Sequence, residues 1–272
     1  MFLDLLGKQR FVDEEAARWL FDTFGWCIRQ FDAGVFYRES ILVIPSDEHF
    51  PGRADSVQGM AELIFTHVKS YASMAHWPFH VLDQSTCAVA PPARVQIEGP
   101  LRGGRATARV PNTSGGIPVP YDADSIRDPE AMIATYAHTL AHYLGQTATE
   151  PPPGGIDHWP RATEVLAVFM GFGLMFANSA FNVPVRSCGS CGGPPVQRRS
   201  YLTQYESAYA LALFCVLKAI PDKQATPHLK KSLRGFYRKC AREIRESGEA
   251  LARLQAMQAE SAPRAPAALA LS

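Results

Sequence analysis

This chain is short of net charge: 27 basic side chains stand against 26 acidic ones among 272 residues, a formal balance of +1. That gives no electrostatic case for nucleic acid or an anionic membrane, and no basic block is long enough to supply one locally. Cysteine is sparse and scattered. Six cysteines, only two of them close together, do not make the framework of a small secreted domain, and the chain reads as cytoplasmic. Long apolar runs are also missing. The longest uncharged one, Val165 to Ala177, has the length of a buried core helix and falls short of a membrane span. Met1 to Leu6 is too short and too soon charged for a signal peptide, and no internal repeat is present.

What remains is an ordinary globular balance with 47% hydrophobic residues, enough in a chain of this length for one sizeable core. Asp13 caps an expected helix to about Phe31, and a second runs from about Ser56 to Ser73. Ile41 to Ile44 is a short apolar strand candidate. From Phe79 to Tyr121 short alternating runs (Cys87–Val89, Arg94–Ile97, Ala106–Val110) predict a small, mostly antiparallel sheet, with Arg102-Gly103-Gly104 as a turn. Ile117-Pro118-Val119-Pro120 reads as an edge segment, because proline cannot donate to a central ladder.

Asp128-Pro129 opens the next helix and Gly145 stops it. Pro160 opens another to about Asn178, apolar all round from Val165 and therefore buried, with Gly171 and Gly173 letting a neighbour approach closely. Thr203 and Glu206 form a capping-box pattern for a helix to about Ala219, and Thr226-Pro227 a start for a long one beyond. The expectation is a single α+β domain over residues 1–260 with a disordered Ala/Pro-rich tail at 261–272.

The chemistry concentrates at Ala137-His138-Thr139-Leu140-Ala141-His142. Histidines four positions apart on a helix share one face and can hold one metal ion. Ala131, Ala134 and Ala141 leave room beside them. Glu164 heads the buried run on the next helix, where an ionised carboxylate is costly unless paired or bound to a metal. Two histidines and an acid make the open three-ligand arrangement of catalytic zinc. The same residues read equally well as two core histidines and a carboxylate capping its own helix. Peptidase helices of the His-Glu-x-x-His type carry glutamate directly after the first histidine. Here that position is Thr139.

Ile117-Pro118-Val119 through Asp128-Pro129-Glu130 into His138-x-x-x-His142 resembles a group of bacterial zincin-like proteins whose helix reads His-Glu-Leu-Ala-His. Ala162-Thr163-Glu164-Val165-Leu166-Ala167-Val168-Phe169, Gly171, Gly173 and Ala177-Asn178 are similar to their following helix, as are Leu42–Pro45, Phe50-Pro51, Tyr201-Leu202 and Tyr209–Ala212 to other parts. The resemblance covers most of the chain. It implies a compact gluzincin-type fold and a zinc held by His138, His142 and Glu164. The departure at Thr139 removes the general base, a loss that typically costs about 10²–10⁴-fold in rate.

Substitutes for that base are weak. His158, with Glu150 and Asp157, lies on the loop between the two ligand-bearing helices and is the most suitable by pKa. Its simpler reading is a solvated loop histidine, and Tyr209 reads as core. Cys188 and Cys191 form a second candidate metal pair, but two more ligands are lacking and an incidental loop is the leading reading. The function expected is therefore a zinc-binding, metallopeptidase-like protein, impaired or repurposed, with an unidentified peptide or protein ligand. An active zinc hydrolase using another base and a metal-free interaction protein are the alternatives.

Overall fold

A computed structural model describes residues 12–84, 100–104, 116–179 and 200–257, and the backbone alone at 95–98, 107–109 and 267–269. Helix and sheet are mixed, and helix predominates. Helix α1 (Glu14–Gln30) starts where the Asp13 carboxylate accepts from the Ala16 amide at 2.7 Å. The short α2 (Ala33–Arg38) follows Asp32, whose backbone is left-handed at φ 54°. Ser56 caps α3 (Val57–Tyr71) through the Gly59 amide, as its sequence position predicts. Ile41 to Ile44 forms no strand. It runs extended against the helix break at Gly171, and the Val43 amide donates to the Gly171 carbonyl at 3.0 Å.

Strands β1 (Phe79–Asp83) and β4 (Ile117–Tyr121) pair in parallel, Val81 opposite Val119. Between them in sequence, β2 (Val95–Glu98) and β3 (Thr107–Arg109) pair antiparallel, and β5 (Ala267–Leu269), from the C-terminal tail, adds to the other side of β2. The expected sheet is thus divided, and its β1–β4 pair is parallel. Parallel pairing needs a crossover connection, a property of distant segments that alternation within one run does not reveal. On β4, Pro118 and Pro120 alternate with the buried Ile117, Val119 and Tyr121, which suits a strand with one unpaired edge.

Helix α4 (Pro129–Gly145) begins with the Asp128 carboxylate on the Ala131 amide at 3.1 Å. After a short 3-10 turn at Ile156–His158, α5 (Trp159–Ala167) passes into a π-helical segment (Val168–Phe172) and then α6 (Gly173–Ser179). By length and composition the run 156–179 would cross a bilayer, but 94% of its apolar window is buried inside the fold, as expected for a core helix. The Thr203–Glu206 capping box opens α7 (Gln204–Leu217), with both reciprocal bonds present. After α8 (Asp222–Ala225), residues Thr226–His228 form only a 3-10 turn. The long helix α9 (Lys231–Glu246) therefore starts later than the Thr-Pro pair suggests, and α10 (Gly248–Ala256) follows it.

The core is built around Phe169. Phe36 stacks on it at 4.3 Å between centroids, and Phe24 meets it edge-on at 6.0 Å. Above this ring lies the guanidinium of Arg102, which is 0% exposed. Its Nε donates to the Ala72 carbonyl and one terminal nitrogen to Ser40 Oγ, while its own amide donates to the Asp32 carboxylate. The expected turn at residues 102–104 is therefore also the point where α1, α2 and α3 are tied together. Burial pulls the Arg102 pKa down to about 10, with Asp32 acting in the opposite direction.

Candidate functional site

Helices α4 and α5, which carry the three expected ligands, pack against each other. His138 is buried at 5% exposure, whereas His142, one turn later, faces solvent. The Gln146 side-chain amide donates to His142 Nε2 at 3.0 Å, and the Tyr143 ring stands edge-on at 5.6 Å from the imidazole. The face is lined by back-bonded threonines. Thr135 Oγ1 donates to the Ala131 carbonyl at 2.9 Å, and Thr139 Oγ1 donates to the Thr135 carbonyl at 3.0 Å. The hydroxyl at the position after His138 is thus turned into its own helix.

Glu164 is buried at 5% exposure, and the structure supplies partners for its charge. One carboxylate oxygen accepts from the Tyr201 amide at 2.9 Å. The other accepts from the Leu202 amide at 2.8 Å and from Ser200 Oγ at 3.0 Å. Hydrogen bonds of this kind favour the ionised form and let it stay buried. They also fasten the segment that opens α7 to the middle of α5. One turn earlier on α5, Arg161 meets Glu206 of the α7 capping box at 2.6 Å and lies 4.4 Å above the Trp19 ring. The two contacts together clamp α5 to the start of α7.

The donor types suit zinc, but their arrangement does not present a finished site. Among the described residues there is no group of three or more His, Cys, Asp or Glu side chains placed to hold a metal ion. Glu164 already accepts three hydrogen bonds from residues 200–202, so a metal would share its carboxylate with them.

His158 lies in the connection to α5, with its ring 5.7 Å from that of Trp19. It packs so closely beneath Gly154 that a Cβ there would come within 2.6 Å of the ring, and its Nδ1 is buried without a partner. The loop carrying it is fixed rather than free to swing. Trp19 Nε1 donates to the Pro153 carbonyl, Trp26 Nε1 to the Glu150 carbonyl, and the Thr149 amide to the Gln30 side chain. Glu150 and Asp157 are exposed on this loop. Tyr209 is buried within α7, as expected of a core residue.

Cys188 and Cys191 lie outside the described residues. Of the other cysteines, Cys27, Cys215 and Cys240 are buried free thiols, and burial raises the pKa of each, Cys215 to about 12. None has the depressed pKa of a reactive thiolate. Comparison with protein-family models, curated proteins and solved structures finds no match to this chain.

Proposed function

We propose that this chain is a zincin-like protein that has lost peptide hydrolysis and works as a binding protein, with zinc as the metal suited to its histidine pair. The observation that carries the loss of hydrolysis is the Thr139 hydroxyl, held on the Thr135 carbonyl at 3.0 Å. A threonine there supplies no group basic enough to take a proton from water, and nothing described beside it stands in. His158, the nearest substitute by chemistry, is packed against Trp19. The zincin-like part of the reading rests on the resemblance of the α4–α5 residues, and it is supported by two histidines one turn apart on a helix packed against the one that bears Glu164.

A second reading, a protein-binding domain that takes no metal, is favoured by the three donors on Glu164. Metal analysis of tag-free protein separates the two. About one zinc per chain, lost in His138→Ala, supports the first. No zinc, together with unchanged stability in His142→Ala, leaves the second. Chelator-sensitive cleavage of a broad peptide library by the unmodified protein would overturn both. On the first reading Thr139→Glu restores the missing base and brings out peptidase activity.

A further inference from the structure

We propose that the cleft between the 45–53 loop, α3, the start of α4 and the 228–230 turn binds a small amphipathic carboxylate, an apolar chain ending in one anionic group. This cleft is separate from the α4–α5 constellation, since neither His138, His142 nor Glu164 lines it. Its volume is about 980 Å³, at the upper end of the range for small-molecule sites. Its floor is core: Phe50, Ile64, Ile133 and Leu229 are all buried residues with a side turned to the cleft. Met60 and Ile126, half-buried, continue the apolar surface up the walls. An alkyl chain on that surface covers apolar area that water otherwise meets.

The charges around the mouth decide the other end of the ligand. The acids are already engaged. Asp128 caps α4, Glu130 accepts from Asn178 at 3.3 Å, and Asp47 accepts from Arg53 at 2.9 Å. Two cations are not: among the described residues the side chains of Arg127 and Lys230 make no hydrogen bond or ion pair. His228 also lines the cleft. An anion therefore finds two unengaged cationic donors here, within a lining that is formally neutral because the hydrogen-bonded Asp128 and Glu130 keep their charge.

The wall that carries Lys230 is held firmly. Asn178, at the end of α6, donates to the His228 carbonyl at 2.8 Å and to Glu130, and accepts from the Lys230 amide at 3.0 Å. The 228–230 turn is thus fixed to the start of α4 before any ligand arrives, which lowers the ordering cost of binding.

Decanoate, kept below its micelle concentration, is a suitable probe, followed by titration calorimetry and amide chemical shifts. We expect one saturable site per chain, with shifts centred on Ile64, Ile133 and Leu229. The paired substitution Arg127→Glu/Lys230→Glu should weaken binding by about tenfold or more. Both side chains are exposed, so circular dichroism should show the fold intact. With the unmodified protein, decanol, which brings no charge to Arg127 and Lys230, should bind about tenfold more weakly than decanoate, a comparison that needs no variant. Absence of saturation, shifts centred on His138, His142 and Glu164, equal binding of decanol, or an unchanged affinity in the charge-reversed variant would overturn the proposal.

Discussion

The substitution Gly171→Ala tests the helix break that separates Glu164 from Asn178. Gly171 has φ 110°, a conformation that costs an L-residue about 1–2 kcal/mol. A Cβ built there comes within 2.2 Å of the Ile41 carbonyl oxygen, and Val43 Cγ2 is already at 3.4 Å. Because the obstacle is backbone, no rotamer change relieves it, and the extended segment 41–43 must move away. That movement breaks the bond from the Val43 amide to the Gly171 carbonyl, worth about 1 kcal/mol. It also loosens Leu42 and Val43, both buried, whose full exposure would cost about 1.5–3 kcal/mol each. Partial undocking puts the total at about 3–5 kcal/mol, a large share of the stability of an ordinary domain. Urea unfolding followed by circular dichroism measures it directly. Gly173→Ala is the control: its Cβ would meet side-chain atoms nearest, Leu211 Cδ1 at 2.9 Å, Val168 Cγ1 at 3.0 Å and Leu211 Cβ at 3.2 Å, so about 1–3 kcal/mol is expected. If Gly171→Ala costs less than Gly173→Ala, the segment 41–43 does not depend on the break and the reasoning fails.

Three further outcomes follow from local geometry. Ala219 ends α7 with φ 53° in a Schellman arrangement, its amide on the Val216 carbonyl and that of Ile220 on Cys215, so Ala219→Gly should raise stability by about 0.5–1 kcal/mol in the same unfolding assay. His76 is half-buried and its pKa is lowered to about 4, chiefly by burial and then by Lys69. The unfolded chain takes up that proton near pH 6.5, so stability should fall as pH drops from about 6.5 towards 4, by on the order of 1 kcal/mol after solvent screening. His76→Gln should flatten that limb of the stability–pH profile, and an unchanged slope would refute the assignment. Glu164→Ala leaves buried donors unmatched and should cost about 2–4 kcal/mol, whereas the exposed His142→Ala should cost less than about 0.5 kcal/mol.

Helix starts were legible because a cap is a local event. Asp13, Ser56, Asp128 and the Thr203–Glu206 pair each bond an amide within three residues, so their spacing in sequence contains the whole interaction. Thr226-Pro227 carries the same kind of signal but opens only a 3-10 turn. The difference lies at a distance: Asn178 holds the Lys230 amide and the His228 carbonyl, which keeps the chain extended at Leu229 and delays α9. Gly171 and Gly173 were legible as points of close approach, though not which segment approaches. Arg102 was not legible, since its burial depends on Asp32 and Ser40, at the two ends of α2, meeting Ala72 at the end of α3. At the candidate site the sequence showed that Glu164 is buried and needs a partner. It did not show that the partner stands on the segment before α7.

That partner changes how the zinc question should be asked. A carboxylate carrying three donors does not ligate a metal at no cost; each charge-assisted bond given up is worth about 1.5–3 kcal/mol. Zinc binding through Glu164 and the opening of α7 should therefore be linked, and linkage works in both directions. Ser200→Ala removes one competing donor without touching a proposed ligand. If zinc draws on Glu164, this substitution tightens zinc binding, and added zinc speeds hydrogen exchange at the Tyr201 and Leu202 amides. If zinc binds with neither effect, the histidines hold it without Glu164, and the carboxylate is a clamp between α5 and α7. A chain that takes zinc without Glu164 lacks the third protein ligand of a catalytic centre as well as its base. In that case Thr139→Glu alone would not bring out peptidase activity, because the water it should activate would lie on an incompletely anchored ion.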